Sequence, residues 1–268
     1  MRTLWLALLV AGVAGWSARA ETSQQKGKRI VDEALAAVGG QAFLNMQNRV
    51  ESGRIYGFYN EQLSGLTVDV LYTTYLPRPD PPVPGFLGVR VRDARQKKQD
   101  DVILYTDGTG YEITFRGARP LPDTAIKQFK TATLHNIFYI LRQRLGEPGL
   151  IFDSRGSDFF ENRPVEIVDI SDANNDTVTV YFDQMTKLPV RQSFKRRNEQ
   201  FKDFDTEVTE FAKYRDVGNG VKWPCTIVRQ RNGEKIFEMY SDSVEVDKDL
   251  TDNLFTLPAN AKMLAKPK

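Results

Sequence analysis

Residues 66–76 read LTVDVLYTTYL. Leu66, Val68, Val70 and Tyr72 alternate with Thr67, Asp69 and Thr73, the two-residue period of a strand with one apolar face. Residues 49–59, RVESGRIYGFY, are a second long strand, and the glycine-containing stretch 60–65 turns the chain between them. Leu87, Val89 and Val91 alternate with Gly88, Arg90 and Arg92 as a third strand. Val102–Thr106 and Tyr111–Phe115 flank Asp107-Gly108-Thr109-Gly110 as a hairpin. The intervening PRPDPPVP, 77–84, holds five prolines in eight positions. It lacks the amide donors of an internal strand and is read as a stiff external loop.

Helical spacing brackets this β-rich stretch. Before it, Ile30, Val31, Ala34, Leu35 and Val38 form an i, i+4, i+8 stripe within 23–46, with Ser23 as cap. Gly39-Gly40 stops that helix, because glycine enters the left-handed region cheaply, and Gln41–Met46 adds a short second piece. After it, 122–145 is free of glycine and proline from Asp123 to Leu145. Pro122 and Asp123 suit a first turn, and Ile126, Phe129, Ala132 or Thr133, Ile137, Leu141 and Leu145 recur at helical spacing. One helix placed after about five strands has to cover a sheet face.

Strand patterning returns at 164–170, 177–182, 188–194, 207–215, 221–231 and 235–246. Asn232-Gly233 between two alternating segments is a strong hairpin signal. Leu250–Pro258 closes the fold, and 259–268 reads as a basic, frayed tail.

The ends of the chain set its compartment. Met1-Arg2, the apolar run Leu4–Gly15 and Ala18-Arg19-Ala20 have the order of a cleavable signal peptide over 1–20. Its apolar run is shorter than the roughly 20 residues of a spanning helix, so a periplasmic, exported protein with a single domain over 21–258 is expected. Loss of Arg2 and Arg19 from the 37 basic residues makes them equal to the 35 acidic ones. A neutral chain lacks the basic excess that nucleic-acid binding draws on.

One cysteine, Cys225, and one histidine, His135, exclude an internal disulfide, a Cys-based zinc site and two-His metal motifs. Nucleophile-elbow, Walker and dinucleotide-glycine patterns are absent, and no enzyme activity, metal or cofactor is expected. Asp172, Asn174 and Asp176 have the spacing of half a calcium loop, but Thr177 stands where the sharp turn needs glycine. They are read as turn residues. The basic run Arg191–Lys202 beside Asp203–Glu210 reads as a hairpin with cross-strand ion pairs.

Ala37-Val38-Gly39-Gly40, Tyr75-Leu76-Pro77-Arg78-Pro79 with Arg90 and Arg92, and VILYTDGTGY at 102–111 carry a family resemblance. So do Val180-Tyr181-Phe182-Asp183 with Thr186–Val190, Tyr214-Arg215-Asp216-Val217 with Pro224, and Asn253–Pro258. In this order they resemble the outer-membrane lipoprotein carrier (LolA/LolB-like) superfamily. The resemblance implies an α+β fold: a large curved antiparallel sheet forming an open, incomplete β-barrel, with a helical lid over a hydrophobic cavity. It implies a monomeric, non-enzymatic carrier of a lipid or lipoprotein acyl chain, exchanging with inner- or outer-membrane transport components. The alternative within the same fold is an envelope sensor or scaffold that binds a protein partner through loop 77–84. A lid-latching arginine is also implied, and Arg78, Arg90 and Arg92 are the candidates.

A strongly curved sheet with few helices tends to enclose space, although a solid core without ligand is the competing outcome. The expected cavity lining is Val68, Val70, Tyr72, Val89, Val91, Ile113 and Phe115 from the strands. The lid would add Ile126, Phe129, Ile137 and Leu141.

Overall fold

The computed structural model describes residues 20–267 except 78, 80–82, 84, 97 and 199. The expected signal peptide therefore lies, apart from Ala20, outside the described residues. So does Arg78, with most of the Pro-rich loop.

Two meanders make up the sheet. The first holds β1 (Asn48–Tyr59), β2 (Gln62–Tyr75), β3 (Val89–Arg95), β4 (Asp101–Thr106), β5 (Thr109–Thr114) and β6 (Gly117–Pro120). The second holds β7 (Ile151–Phe160), β8 (Arg163–Ser171), β9 (Thr177–Asp183), β10 (Pro189–Asn198), β11 (Asp203–Asp216), β12 (Lys222–Arg231) and β13 (Glu234–Val246). Within each meander every strand pairs antiparallel with its sequence neighbour, and β1 pairs with β13 to join the two halves. The product is one curved 13-stranded sheet that does not close, with β6 and β7 as its edges. This is the open barrel expected from the sequence.

The helices are α1 (Ser23–Ala37), α2 (Gln41–Asn45), α3 (Asp123–Leu134) and α4 (Ile137–Tyr139), the last continuing as a π-helical segment, Ile140–Arg144. Thr22 rather than Ser23 caps α1, in a reciprocal capping box with Gln25. Gly39 and Gly40 end α1 at φ 126° and 53°, as their sequence position predicts. Gly27 lets α1 lie directly on β7, since a Cβ there would sit 2.6 Å from the Phe152 carbonyl oxygen.

The expected single helix over 122–145 is two pieces. Asn136 is extended (φ −78°, ψ 124°), and its side chain accepts from the Phe138 and Tyr139 amides, starting α4 afresh. His135 ends α3 and is buried, stacked on Phe194 with ring centroids 4.4 Å apart. Because this crossover leaves edge strand β6 and returns at edge strand β7, it bridges the gap that the sheet leaves open.

The main core sits under α1, α2 and α4, where Phe43, Phe138, Phe182, Phe211 and Trp223 are buried with Val168 and Val180. A second, smaller core of Ala94, Val102 and Leu104 forms apart from it. The 3₁₀ turn Asp252–Phe255 packs on β3 and β4, with Phe255 buried and Arg92 donating to the Leu254 carbonyl oxygen.

The C-terminal segment is a strap rather than a frayed tail. The Ala118 amide donates to Lys262 O (2.9 Å), the Leu264 amide donates to Ala118 O (2.8 Å), and Lys266 pairs with Asp123 at 2.7 Å. The strap thus occupies backbone groups on the outer side of edge strand β6. Deleting 259–268 should therefore speed amide exchange at Ala118 by tenfold or more while leaving exchange in β9 and β12 unchanged, as hydrogen-exchange mass spectrometry would read.

Candidate functional site: the helix-covered face

Residues directly opposed in a sheet share a face. The ladder Val246–Arg49–Thr73–Val91–Tyr105 therefore lies on one face of β13, β1, β2, β3 and β4. Val246 packs against the main core, so this is the face the helices cover. The adjacent ladder Val50–Tyr72–Arg92–Leu104–Tyr111 is on the other face, where the 3₁₀ turn Asp252–Phe255 packs.

The register divides the expected lining set. Val89 and Val91 are on the covered face and half-buried. Val68, Val70, Tyr72 and Ile113 belong to the opposite face. There Tyr72 and Ile113 pack on the second core and Val68 is exposed. Phe115, just past β5, is 86% exposed and lines nothing. Ile137 and Leu141 are wholly buried in the main core, and Ile126 and Phe129 are half-buried on α3. Of the candidate latches, Arg90 pairs with Asp107 and Arg92 binds Leu254 O, and these bonds hold the strand ends and the 3₁₀ turn rather than α3. Arg142 does tie helical pieces together: from the π segment it donates to the carbonyl oxygens of Phe43 and Leu44 and lies over Tyr75.

α3 is a roof laid from one wall to the other. At its start, the Leu121 amide donates to Gly110 O of β5 (2.9 Å), and Phe129 stacks on Tyr105 of β4, 3.9 Å apart and 4° from parallel. Beyond its end, His135 stacks on Phe194, and the Ile137 amide donates to Gln192 Oε1 of β10 (2.9 Å). Twelve residues at about 1.5 Å each span roughly 18 Å between these fixings. α3 buries none of its residues, whereas all three of α4 are buried.

The covered face below carries Ile55, Leu71, Ile227 and Met239 among several charged groups. Glu51 is held by Ser241 and Arg49, and Asp69 accepts from the Gln96 amide. Asp93 pairs with Arg95, and burial is the main cause that pushes its carboxyl up. Arg229 is on the same face by register and is exposed to solvent.

Arg229 and Tyr105 were not singled out in the sequence. A signal existed for Arg229, since Trp223, Cys225, Ile227 and Arg229 share one register of β12, the last a charge at an apolar position.

Other sequence expectations resolve simply. Cys225 is a buried strand thiol whose pKa burial raises. Asp172 closes its own turn through the Asn174 and Asp176 amides and pairs with Arg144 at 3.1 Å. Arg196 bridges to Asp205 and Glu207 across the charged hairpin. Among the described residues, no group of three or more His, Cys, Asp or Glu could hold a metal ion, and no helix is long and apolar enough to cross a membrane.

No family model matches the sequence, and no curated protein matches it. Solved structures do. An outer membrane lipoprotein-sorting protein domain from Vibrio parahaemolyticus is 12% identical, with 87% of this chain and 97% of that one covered at a TM-score of 0.56. A DUF1329 family protein from Desulfovibrio piger is 9% identical at 86% and 97% coverage, also at 0.56. A LolA superfamily protein from Nitrosomonas europaea is 10% identical at the same coverage, with a TM-score of 0.50. At these identities the likeness speaks of architecture, and with the open sheet and roofing helix already described it gives this chain a LolA-like fold.

Proposed function

We propose that the protein is an exported, non-enzymatic carrier that holds an acyl chain of a lipid or lipoprotein between α3 and the covered face. In this reading residues 1–20 are removed on export and 21–258, with the strap, form one carrier domain in the periplasm. The observation that carries it is α3 itself, laid over the covered face from Tyr105 and Gly110 on one side to Phe194 and Gln192 on the other with none of its own residues buried. Ile126 and Phe129 of α3 support it, since being only half-buried they leave apolar area to cover a guest. Each methylene moved from water into such a space contributes about 0.8 kcal/mol, so a long chain suffices for tight binding. The lipoprotein-sorting domain of the Vibrio structure is in keeping with this role.

A fluorescent fatty-acyl probe tests it. Wild-type protein should bind and brighten the probe, and Phe129→Glu should weaken binding at least tenfold, about 1.4 kcal/mol, with the strand circular-dichroism signal unchanged. Equal binding by the folded variant would remove α3 from the site.

A further inference from the structure

Three neighbouring hairpins project beyond the strands that flank them. β2 has partners on β3 only from Asp69 onward, and β10 has partners on β9 only up to Phe194. The ends of β1–β2, β12–β13 and β10–β11 therefore form a ledge whose strands pair only with one another. The register gives its face away from the helices. On β1 and β2 this face carries the pairs Arg54–Val68, Tyr56–Leu66 and Phe58–Leu63, and on β10 and β11 the pairs Lys195–Thr206 and Arg197–Phe204. Six of the thirteen large apolar side chains exposed among the described residues belong to the ledge: Leu63, Leu66, Val68 and Phe204 on this face, Tyr59 and Phe201 at the turns. Apolar surface concentrated in this way marks an interaction site.

The same face is basic. Its carboxylates are engaged: Asp242 pairs with Arg54 (3.2 Å), Glu238 with Lys235 (3.1 Å), and Glu210 accepts from Gln230 (3.4 Å). Lys195 and Arg197 have no ion pair among the described residues, and nor has Lys213, which lies over the Tyr240 ring. Of the remaining acids of the ledge, Asp203 and Glu234 have the register of the covered face, and Glu61 is in the β1–β2 turn.

We propose that this face of the ledge docks on an anionic lipid bilayer, with Leu66, Val68 and Phe204 entering the interface and Lys195, Arg197 and Lys213 meeting lipid phosphates. A bilayer matches both halves of the pattern. Each basic side chain near an anionic surface contributes about 1 kcal/mol, and the apolar side chains between them gain by leaving water. A fluid head-group layer supplies phosphate to each long side chain without a fixed partner geometry. Projection beyond β3 and β9 lets the hairpins reach the membrane while the flanking strands stand clear. The docking face is on the side of the sheet opposite α3, so the assignment goes beyond the carrier reading and does not depend on it.

The test is co-sedimentation with phosphatidylcholine vesicles, either pure or with about a quarter of phosphatidylglycerol. It uses residues 20–268, which hold every described strand and helix, because the apolar run Leu4–Gly15 would enter lipid by itself. The protein should bind the anionic vesicles roughly tenfold or more tightly than the neutral ones, and high salt should weaken that binding. Lys195→Glu with Arg197→Glu should abolish the anionic preference. Leu66→Asp with Phe204→Asp should weaken binding to both kinds of vesicle by about tenfold. Met185→Asp, at an exposed turn beyond the far end of β10, should bind as wild type does. All five side chains are exposed, and unchanged thermal midpoints report that the variants are folded. Absence of binding to anionic vesicles, or binding that both double variants retain, overturns the assignment. Equal binding to neutral and anionic vesicles overturns its electrostatic half. A dimer that Leu66→Asp with Phe204→Asp disperses, in protein that ignores vesicles, gives the face to a second copy and overturns the bilayer. So does capture of an envelope protein, in place of lipid, by photocrosslinkers at Leu66 and Phe204.

Discussion

Replacing Ile137 by glutamate is expected to destabilise the protein strongly. Ile137 is wholly buried, its amide donates to Gln192 Oε1, and it sits in the core with Phe138 and Leu141. A carboxylate there loses its hydration and displaces close-packed side chains, a loss of roughly 4 kcal/mol or more. For a chain of this size that lowers the thermal midpoint by about 10 °C. Phe129→Glu, eight residues earlier on the same apolar stripe, should keep a near wild-type midpoint because Phe129 is only half-buried over Tyr105. Differential scanning calorimetry of the two variants separates them. Similar midpoints would mean that the helical crossover is one uniform lid rather than a roof and a plug.

Gly53→Val should be nearly as damaging, for a reason that lies in the backbone. Gly53 is at the register shift where β1 meets β13, and a Cβ there collides with the Tyr240 carbonyl oxygen and lies 2.8 Å from Ser241 Cα. Main chain cannot swing aside as a side-chain tip can, so the ladder that joins the two meanders has to part locally. A cost of about 3 kcal/mol is expected, read as a lower urea midpoint. Gly233→Val, at a hairpin turn with open space around its Cβ, gives a comparison in which backbone strain at φ 87° acts without a collision. An unchanged midpoint for Gly53→Val would show that the junction tolerates spreading.

The strands were largely legible because alternation is a local property. β1, β2, β9, β10, β12 and β13 lie where the two-residue period puts them, and the Asn232-Gly233 turn is a hairpin. β6 escaped notice because four residues, Gly-Ala-Arg-Pro, are too few to show a period. β7 escaped because Gly156, at φ 93°, interrupts its alternation at a register shift. The break at Asn136 is a capping event inside an otherwise helical spacing, which periodicity alone does not register.

Legibility failed more instructively at the site. The apolar side of β2, Val68-Val70-Tyr72, is real, but it lies on the face opposite the helices. Toward the helices β2 turns Asp69, Leu71 and Thr73. Alternation tells which side of a strand is greasy and is silent on what covers it. In a sheet with helices over one face and the 3₁₀ turn Asp252–Phe255 packed on β3 and β4 of the other, the greasier side of a strand is not a guide to the interior.

The pairing of β1 with β13 also orders events in time. One of the earliest strands to leave the ribosome waits for almost the last before its second edge is satisfied. Each half can zip locally, hairpin by hairpin, but their union demands closure of a loop nearly as long as the polypeptide, a slow step by its topology. Until then β1 presents an unsatisfied edge to any neighbouring molecule. A nascent chain interrupted before residue 234 should be a sticky, aggregation-prone species, and a factor that shields bare strand edges should raise the yield of the finished molecule.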